Sequence, residues 1–198
     1  MVIGVLALQG DFDAHARMLR ELGAEPVEVR TAAGLEGLDG LIVPGGESTV
    51  MTLGIERERL AEPLREFAAA KPVLGTCAGM IMLDREHLAI MDIVARRNAF
   101  GRQVRSFEAD VDVAGLDEPV RAVFIRAPWV EERGEDVEVL AQLDGHPIAV
   151  RDGDVIAVAF HPEIAGDPRV HALFLDLVRG LTAQTGVDPG VDDDRGSE

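Results

Sequence analysis

KPVLGTCAGM, residues 71–80, contains two elements and the bend that joins them. Pro72 to Gly75 runs apolar and straight, the mark of a short strand covered on both faces. Gly75 and Gly79 flank Cys77 two residues to either side, and a helix is predicted to start near Ala78. Glycine tolerates the backbone angles of a sharp bend that other residues resist. A buried strand that turns abruptly into a helix is the repeating unit of a parallel α/β sheet.

The same unit recurs upstream. Residues 2–8 (VIGVLAL) form a near-continuous aliphatic run and are predicted as the first strand. Phe12, His15, Ala16, Leu19 and Leu22 then repeat at helical spacing, with Gly23 as a stop. PVEVR (26–30) alternates as a second strand, and LDGLIVPGG (38–46) supplies a third that ends in a Pro-Gly-Gly turn. Residues 47–70 read as one or two helices, the second beginning at Pro63. From 92 to 160 the pattern changes to strands without long helices: SFEADVDV, VRAVFIRAP, VEVLAQL, HPIAVRDGD and VIAVAF. RDGD joins two alternating runs as a hairpin turn does. Residues 167–182 close the chain as a helix, with Asp167 as N-cap and Pro168 at the first helical position.

This order predicts a single-domain α/β fold. It is a three-layer sandwich whose mostly parallel sheet carries helices on both faces, with added antiparallel strands. The domain is expected over residues 1–182, followed by a disordered acidic tail over 183–198 that lacks apolar periodicity.

Composition narrows the function classes. Apolar residues make up 47% of the 198, aromatics only 4%, and tyrosine is absent, which suits an aliphatic sheet under helices. The net charge of −17 argues against a nucleic-acid partner, because phosphate contacts need clustered Lys and Arg. Lys71 is the only lysine; every other basic residue apart from the histidines is arginine. No run approaches the roughly 18 to 20 apolar residues of a membrane span. MVIGVLALQGD lacks the basic flank of a signal peptide. One cysteine makes no internal disulfide, so a reducing cytoplasm is the expected setting.

A thiol at a strand-to-helix bend has two advantages as a nucleophile. The bend points the side chain outward at the carboxyl edge of the sheet. The helix that follows turns its free N–H groups and positive dipole end toward the sulfur, favouring thiolate. The N–H of Ala78 can also stabilise an oxyanion when that thiolate attacks a carbonyl. The plain alternative is a small buried hydrophobe, the commonest role of a lone cysteine. A nucleophile needs a base, and the base needs an orienter. Of five histidines, His15, His87 and His171 fall in helical segments as ordinary surface or boundary residues, and His146 falls in a turn beside Pro147. His161 differs, because it ends the run VIAVAF and is followed by Pro162 and Glu163. In extended backbone, residues two apart project to one side, so Glu163 is predicted to reach the imidazole of His161. Pro162 stiffens the pair. PGGES (44–48) closes another strand. Gly46 N–H is a second candidate oxyanion donor there, and Ser48 is either a helix cap or a ligand contact. For the motif alone, a glycine-rich turn capped by Ser or Glu is the better reading. Neither a phosphate loop nor a zinc site fits these spacings, and no metal or cofactor is called for.

Taken in order, PGGES, GTCAG and FHPE resemble the motifs of the class I (triad) glutamine amidotransferases. The segments IGVLALQGD, RRNAFGRQVRSFEAD, VFIRAP and GEDVEVL bring the resemblance closer to the glutaminase-subunit family of pyridoxal 5'-phosphate synthases. It runs from residue 2 to about 180 and implies a flavodoxin-like sheet. It also implies hydrolysis of L-glutamine to glutamate and ammonia, with Cys77 attacking the carboxamide, His161 shuttling protons and Glu163 orienting His161. By position, Gly46, Glu47, Ser48, Arg97, Ile125 and Arg126 would hold glutamine. Either Arg97 or Arg126 would clamp the α-carboxylate, the alternative for each being a surface ion pair. The resemblance further implies a synthase subunit as partner in a 12:12 complex that takes the ammonia through a tunnel. ALQGDF and RNAFGRQ are the candidate contacts with it.

Two features depart from that family's pattern. The stretch DREHLAIMDIVA between Leu83 and Arg96 is short, and Trp129 stands where a smaller or polar residue is usual. The rival readings are γ-glutamyl hydrolases, the intracellular peptidase/chaperone-like family, the amidotransferase subunit of histidine biosynthesis, and a non-catalytic module of the same fold. The last predicts loss of Cys77, His161 or Glu163, and all three are present.

Overall fold

The computed structural model describes residues 1–9, 12–101 and 106–185. In chain order the elements are β1 (Val2–Leu6), α1 (Phe12–Glu21), β2 (Glu25–Val29), a 3-10 turn (Ala32–Leu35), β3 (Gly40–Val43), α2 (Ser48–Arg57), α3 (Ala61–Ala68), β4 (Val73–Thr76) and α4 (Ala78–Leu83). Then come β5 (Ile93–Arg96), β6 (Ser106–Val111), β7 (Val120–Ile125), β8 (Trp129–Arg133), β9 (Glu138–Leu143), β10 (His146–Asp152), β11 (Val155–Val158), α5 (Pro162–Ala165) and α6 (Arg169–Thr185).

A seven-stranded sheet in the order β2-β1-β3-β4-β11-β10-β9 forms the centre. β2, β1, β3, β4 and β11 run parallel, while β10 and β9 add an antiparallel edge. The middle strands β3, β4 and β11 are buried at every residue, as helices on both faces require. Register shows which helices cover which face. A Cβ on Gly40 would meet Phe174 and Val178 of α6, whereas one on Gly75 would meet Leu83 of α4. Gly75 pairs with Val43, three residues beyond Gly40, so the two glycines point to opposite faces and α4 and α6 cover opposite sides. The three-layer α/β sandwich follows.

The sequence-based boundaries hold for most elements, with differences that have physical causes. Pro63 is the third residue of α3 rather than its first, still within the turn whose N–H groups need no helical partner. β10 and β11 make the expected hairpin through Gly153 at φ 56°. His146 begins β10 instead of lying in a turn, and its ring stacks on Trp129 at 3.6 Å. Asp167 caps α6 by accepting the N–H of Arg169 at 3.1 Å. That helix runs past residue 182 to Thr185; the tail expected over 183–198 otherwise lies outside the described residues. The remaining strands pair as two separate ribbons, β5 with β8 and β6 with β7.

The shortened stretch after α4 is organised by one buried carboxylate. Asp84 Oδ1 accepts from the N–H groups of Glu86 and His87 at 2.9 and 3.1 Å and faces His87 Nδ1 at 2.7 Å; its Oδ2 accepts from Ala95 N. These bonds carry the chain directly from α4 into β5.

Candidate active site

β3, β4 and β11 are adjacent and parallel, so the segments leaving their carboxyl ends meet at one edge of the sheet. Pro44-Gly45-Gly46 leaves β3, Cys77 leaves β4, and Ala159-Phe160-His161 leaves β11. Topology alone therefore brings together three motifs that lie far apart in sequence.

Cys77 sits at φ 48° and ψ −106°, a left-handed conformation that a residue with a Cβ rarely adopts. Its N–H is tied to Val158 O at 2.8 Å. The following turn fits closely, because a Cβ on Gly79 would lie 2.0 Å from Val43 O. The expectation of an outward, exposed thiol needs correction. Cys77 is only 6% exposed, with its Sγ 3.8 Å from the carbonyl oxygen of Ile125. The fold of β7 over the sheet edge covers it, and it is reached through a cavity of about 350 Å³. That cavity is lined by Gly46, Glu47, Ser48, Cys77, Ala78 and Arg126 among others.

His161 and Glu163 meet as predicted but by another route. β11 stops at Val158, and His161 is the N-cap of the short helix α5 with Pro162 at its first position. Extended backbone therefore does not align the pair. The first helical turn does, placing His161 Nδ1 2.6 Å from Glu163 Oε1. Val123 O holds the backbone N–H of His161 at 2.9 Å. With Nδ1 engaged, Nε2 is the nitrogen left for the sulfur. Burial would lower the pKa of His161, but hydrogen bonds to Cys77 and then Glu163, together with their charges, outweigh it and raise the value to about 10. The imidazolium is therefore the resting form at neutral pH. Since 6.5 is the ordinary value, the fold has the full benefit of this contact below pH 6.5 and loses it as pH climbs through about 10. A pH titration of the His161 ring followed by NMR should show a proton retained well above neutrality. Titration between pH 6 and 7 would mean that its neighbours do not hold the charge.

The remaining predicted residues divide. Ser48 is the first residue of α2 rather than its cap, is buried, and its Oγ is hydrogen-bonded by the guanidinium of Arg97, which also reaches Thr49 Oγ1 at 3.4 Å. Arg126 lines the cavity at φ 45° and has no ion pair or hydrogen bond among the described residues. Asn98, at φ 47°, also lines the cavity and was not singled out from sequence. Trp129 lies away from it, stacked on His146 and edge-on to Phe100. Of the two stretches expected to contact a partner, residues 10–11 and 102–105 lie outside the described residues.

His15 and His171 are not surface residues. Both are fully buried, with His15 Nδ1 2.9 Å from His171 Nε2 and His15 Nε2 3.6 Å from Glu163 Oε2. The signal was present in the sequence: His15 shares helical spacing with Ala16 and Leu19, as His171 does with Phe174, Leu175 and Val178.

The site therefore sets the cysteine sulfur and an imidazole on one cavity, with a carboxylate bonded behind the imidazole and backbone amides and arginines at the border. The family model described as SNO glutamine amidotransferase family matches residues 5–179. A pyridoxal 5'-phosphate synthase subunit PdxT of Frankia alni is 55% identical over 188 residues, covering 89% of this chain and 94% of that protein. The subunit of the same name from Mycobacterium avium is 55% identical over 192 residues, with 90% and 97% covered. A solved structure described as a glutamine amidotransferase superposes with a TM-score of 0.85 at 46% identity, covering 90% of this chain and all of that one.

Proposed function

This chain belongs to the SNO glutamine amidotransferase family and acts as a glutaminase subunit of pyridoxal 5'-phosphate synthase, and we propose that it does so through a thioester on Cys77. The observation that carries the proposal is Cys77 and His161 lining one cavity, with Glu163 bonded to His161 Nδ1 behind it and His161 held as imidazolium. A non-catalytic module has no use for a strained cysteine at φ 48° beside a charged imidazole.

The steps follow from the atoms present. The Cys77 sulfur, as thiolate beside the imidazolium, attacks the carboxamide carbon of glutamine. The negative charge moves to the carbonyl oxygen, where the N–H groups of Ala78 and Gly46 receive it. Ala78 is the first residue of α4, and its N–H has no helical acceptor. The C–N bond breaks as the leaving nitrogen takes the proton from His161 Nε2, releasing ammonia and a γ-glutamyl thioester. Water then gives a proton to the now neutral His161 and attacks the thioester carbon. The C–S bond breaks, the product leaves and gives the proton of its new carboxyl to water to become glutamate, and thiolate and imidazolium are restored. Glu163 keeps Nδ1–H engaged throughout, so only Nε2 exchanges protons.

Glutamine is held at its other end by an arginine. Arg126 is the better clamp for the α-carboxylate, since its guanidinium is uncommitted, while Arg97 is bound to Ser48 and Thr49. Arg97 then orders Ser48, and Glu47 and Ile125 shape the walls. The ammonia passes to the synthase subunit through a closed route, because ammonia released into neutral water becomes ammonium and loses its lone pair as a nucleophile. The exposed apolar side chains of Val50, Leu53 and Ile164, on α2 and α5 beside the site, suit docking of that subunit. A reducing cytoplasm suits the free thiol; among the described residues no helix is long and apolar enough to cross a membrane.

The test is glutamine hydrolysis by the chain alone and with its synthase subunit, with transfer of the amide nitrogen followed by isotope label. Addition of the synthase should raise turnover, and labelled nitrogen should reach product undiluted by unlabelled ammonium in the buffer. Dilution in proportion to the added ammonium would defeat the closed route.

A further inference from the structure

We propose that His15 is a positioning residue for Glu163, its N–H turned toward the second carboxylate oxygen by a tautomer that His171 fixes. The proposal rests on the triad assignment above and extends it across the sheet edge to α1 and α6. Glu163 spends Oε1 on His161, and its side chain is fully buried. A buried carboxylate oxygen without a donor is costly, and Oε2 has no hydrogen-bond partner within normal reach. The nearest donor is His15 Nε2, at 3.6 Å, which also lies 3.4 Å from Thr76 Oγ1.

Two tautomer patterns are available to a pair of neutral imidazoles joined Nδ1 to Nε2. In the first, His171 Nε2–H donates to His15 Nδ1, and His15 Nε2–H then faces Glu163. In the second, His15 Nδ1–H donates to His171. That turns the bare lone pair of His15 Nε2 onto a carboxylate and leaves a buried N–H on His171 Nδ1, which has no partner. The first pattern leaves His171 with an unpaired acceptor instead, the lesser cost. Both ends of the chain therefore select the same direction, His171 to His15 to Glu163 to His161.

The surroundings keep the two imidazoles neutral. Burial, then His171, then His161 push His15 well below its ordinary value. Burial lowers His171 to about 4, against a smaller upward pull from Asp167. The titratable groups facing the chain are Cys77 after β4, His161 and Glu163 at α5, and Asp167 ahead of α6. None supplies a second donor to Oε2, so loss of His15 leaves that oxygen without its facing N–H and frees the carboxylate to turn away from His161 Nδ1.

The test uses the chain assembled with its synthase subunit. H15L removes the donor and keeps the bulk, while H15Q returns an N–H near the position of Nε2. H15L should lower kcat by about tenfold, because the carboxylate no longer holds His161 in place. It should leave KM within about twofold, and H15Q should recover most of the lost kcat. Native kcat in H15L would overturn the proposal, as would H15Q no better than H15L at equal melting temperature. In case H15L does not fold, histidine ¹⁵N shifts of the unmutated full chain decide the matter. They should place the ring protons of both His15 and His171 on Nε2, and a proton on His15 Nδ1 would overturn the assignment. Failure of the triad itself has a separate signature, hydrolysis that survives loss of Cys77 whatever His15 does.

Discussion

Glutamine hydrolysis by the assembled enzyme falls by about 10⁴-fold or more when Cys77 is replaced by serine or alanine, with folding unchanged. Serine is close to isosteric, so the strained bend at φ 48° and the bond from its N–H to Val158 O persist. What disappears is the sulfur nucleophile. A hydroxyl beside the His161 imidazolium gives up no proton to it, because that imidazole already carries one at neutral pH. Glutamine binding, which we assign to Arg126 and the backbone amides, should survive in a direct titration. A serine variant with substantial hydrolysis would mean that water is activated without a covalent step.

The second large effect comes from a residue with no side chain. A Cβ on Gly45 would lie 2.5 Å from His161 Cε1, 3.1 Å from its Nδ1 and 3.3 Å from Cys77 Cβ. The ring cannot yield without breaking its 2.6 Å contact with Glu163, since Val123 O anchors its backbone. G45A should therefore displace the imidazole and cost about a hundredfold in kcat, the usual consequence of a shift near one ångström at a reacting group. Its melting temperature should fall by only a few degrees, because the clash lies at the sheet edge and leaves the aliphatic layers intact. Wild-type turnover in G45A would show that the imidazole position is loosely held and that its geometry does not limit the rate.

Much of this site is legible in sequence because its key features are local. A cysteine bracketed by glycines after an aliphatic strand identifies the bend, and HPE and PGGES announce themselves at the ends of neighbouring strands. The order of parallel strands then brings them together without further information. Less legible is anything that depends on what a helix face meets. The spacing of His15 with Ala16 and Leu19 shows that it points inward, but not that α1 and α6 place their two histidines 2.9 Å apart behind Glu163. The burial of Cys77 is hidden for a related reason: β7 folds back over the sheet edge, a contact between distant segments. Sequence pairs His161 with Glu163 through extended backbone, whereas the first turn of α5 joins them. A proline after histidine fits a strand end and a helix start equally, and only the termination of β11 at Val158 decides between them. β5 is not legible in sequence because the carboxylate of Asp84, the residue directly after α4, gathers the loop that precedes it.

The covalent step is tested most directly by adding hydroxylamine to the assembled enzyme during turnover. A γ-glutamyl thioester on Cys77 partitions between water and hydroxylamine, so γ-glutamyl hydroxamate should form at the expense of glutamate while ammonia release keeps its rate. Cys77→Ser should yield neither product. Hydroxamate absent at concentrations that trap ordinary thioesters, with glutamate formed at the normal rate, would contradict a thioester route.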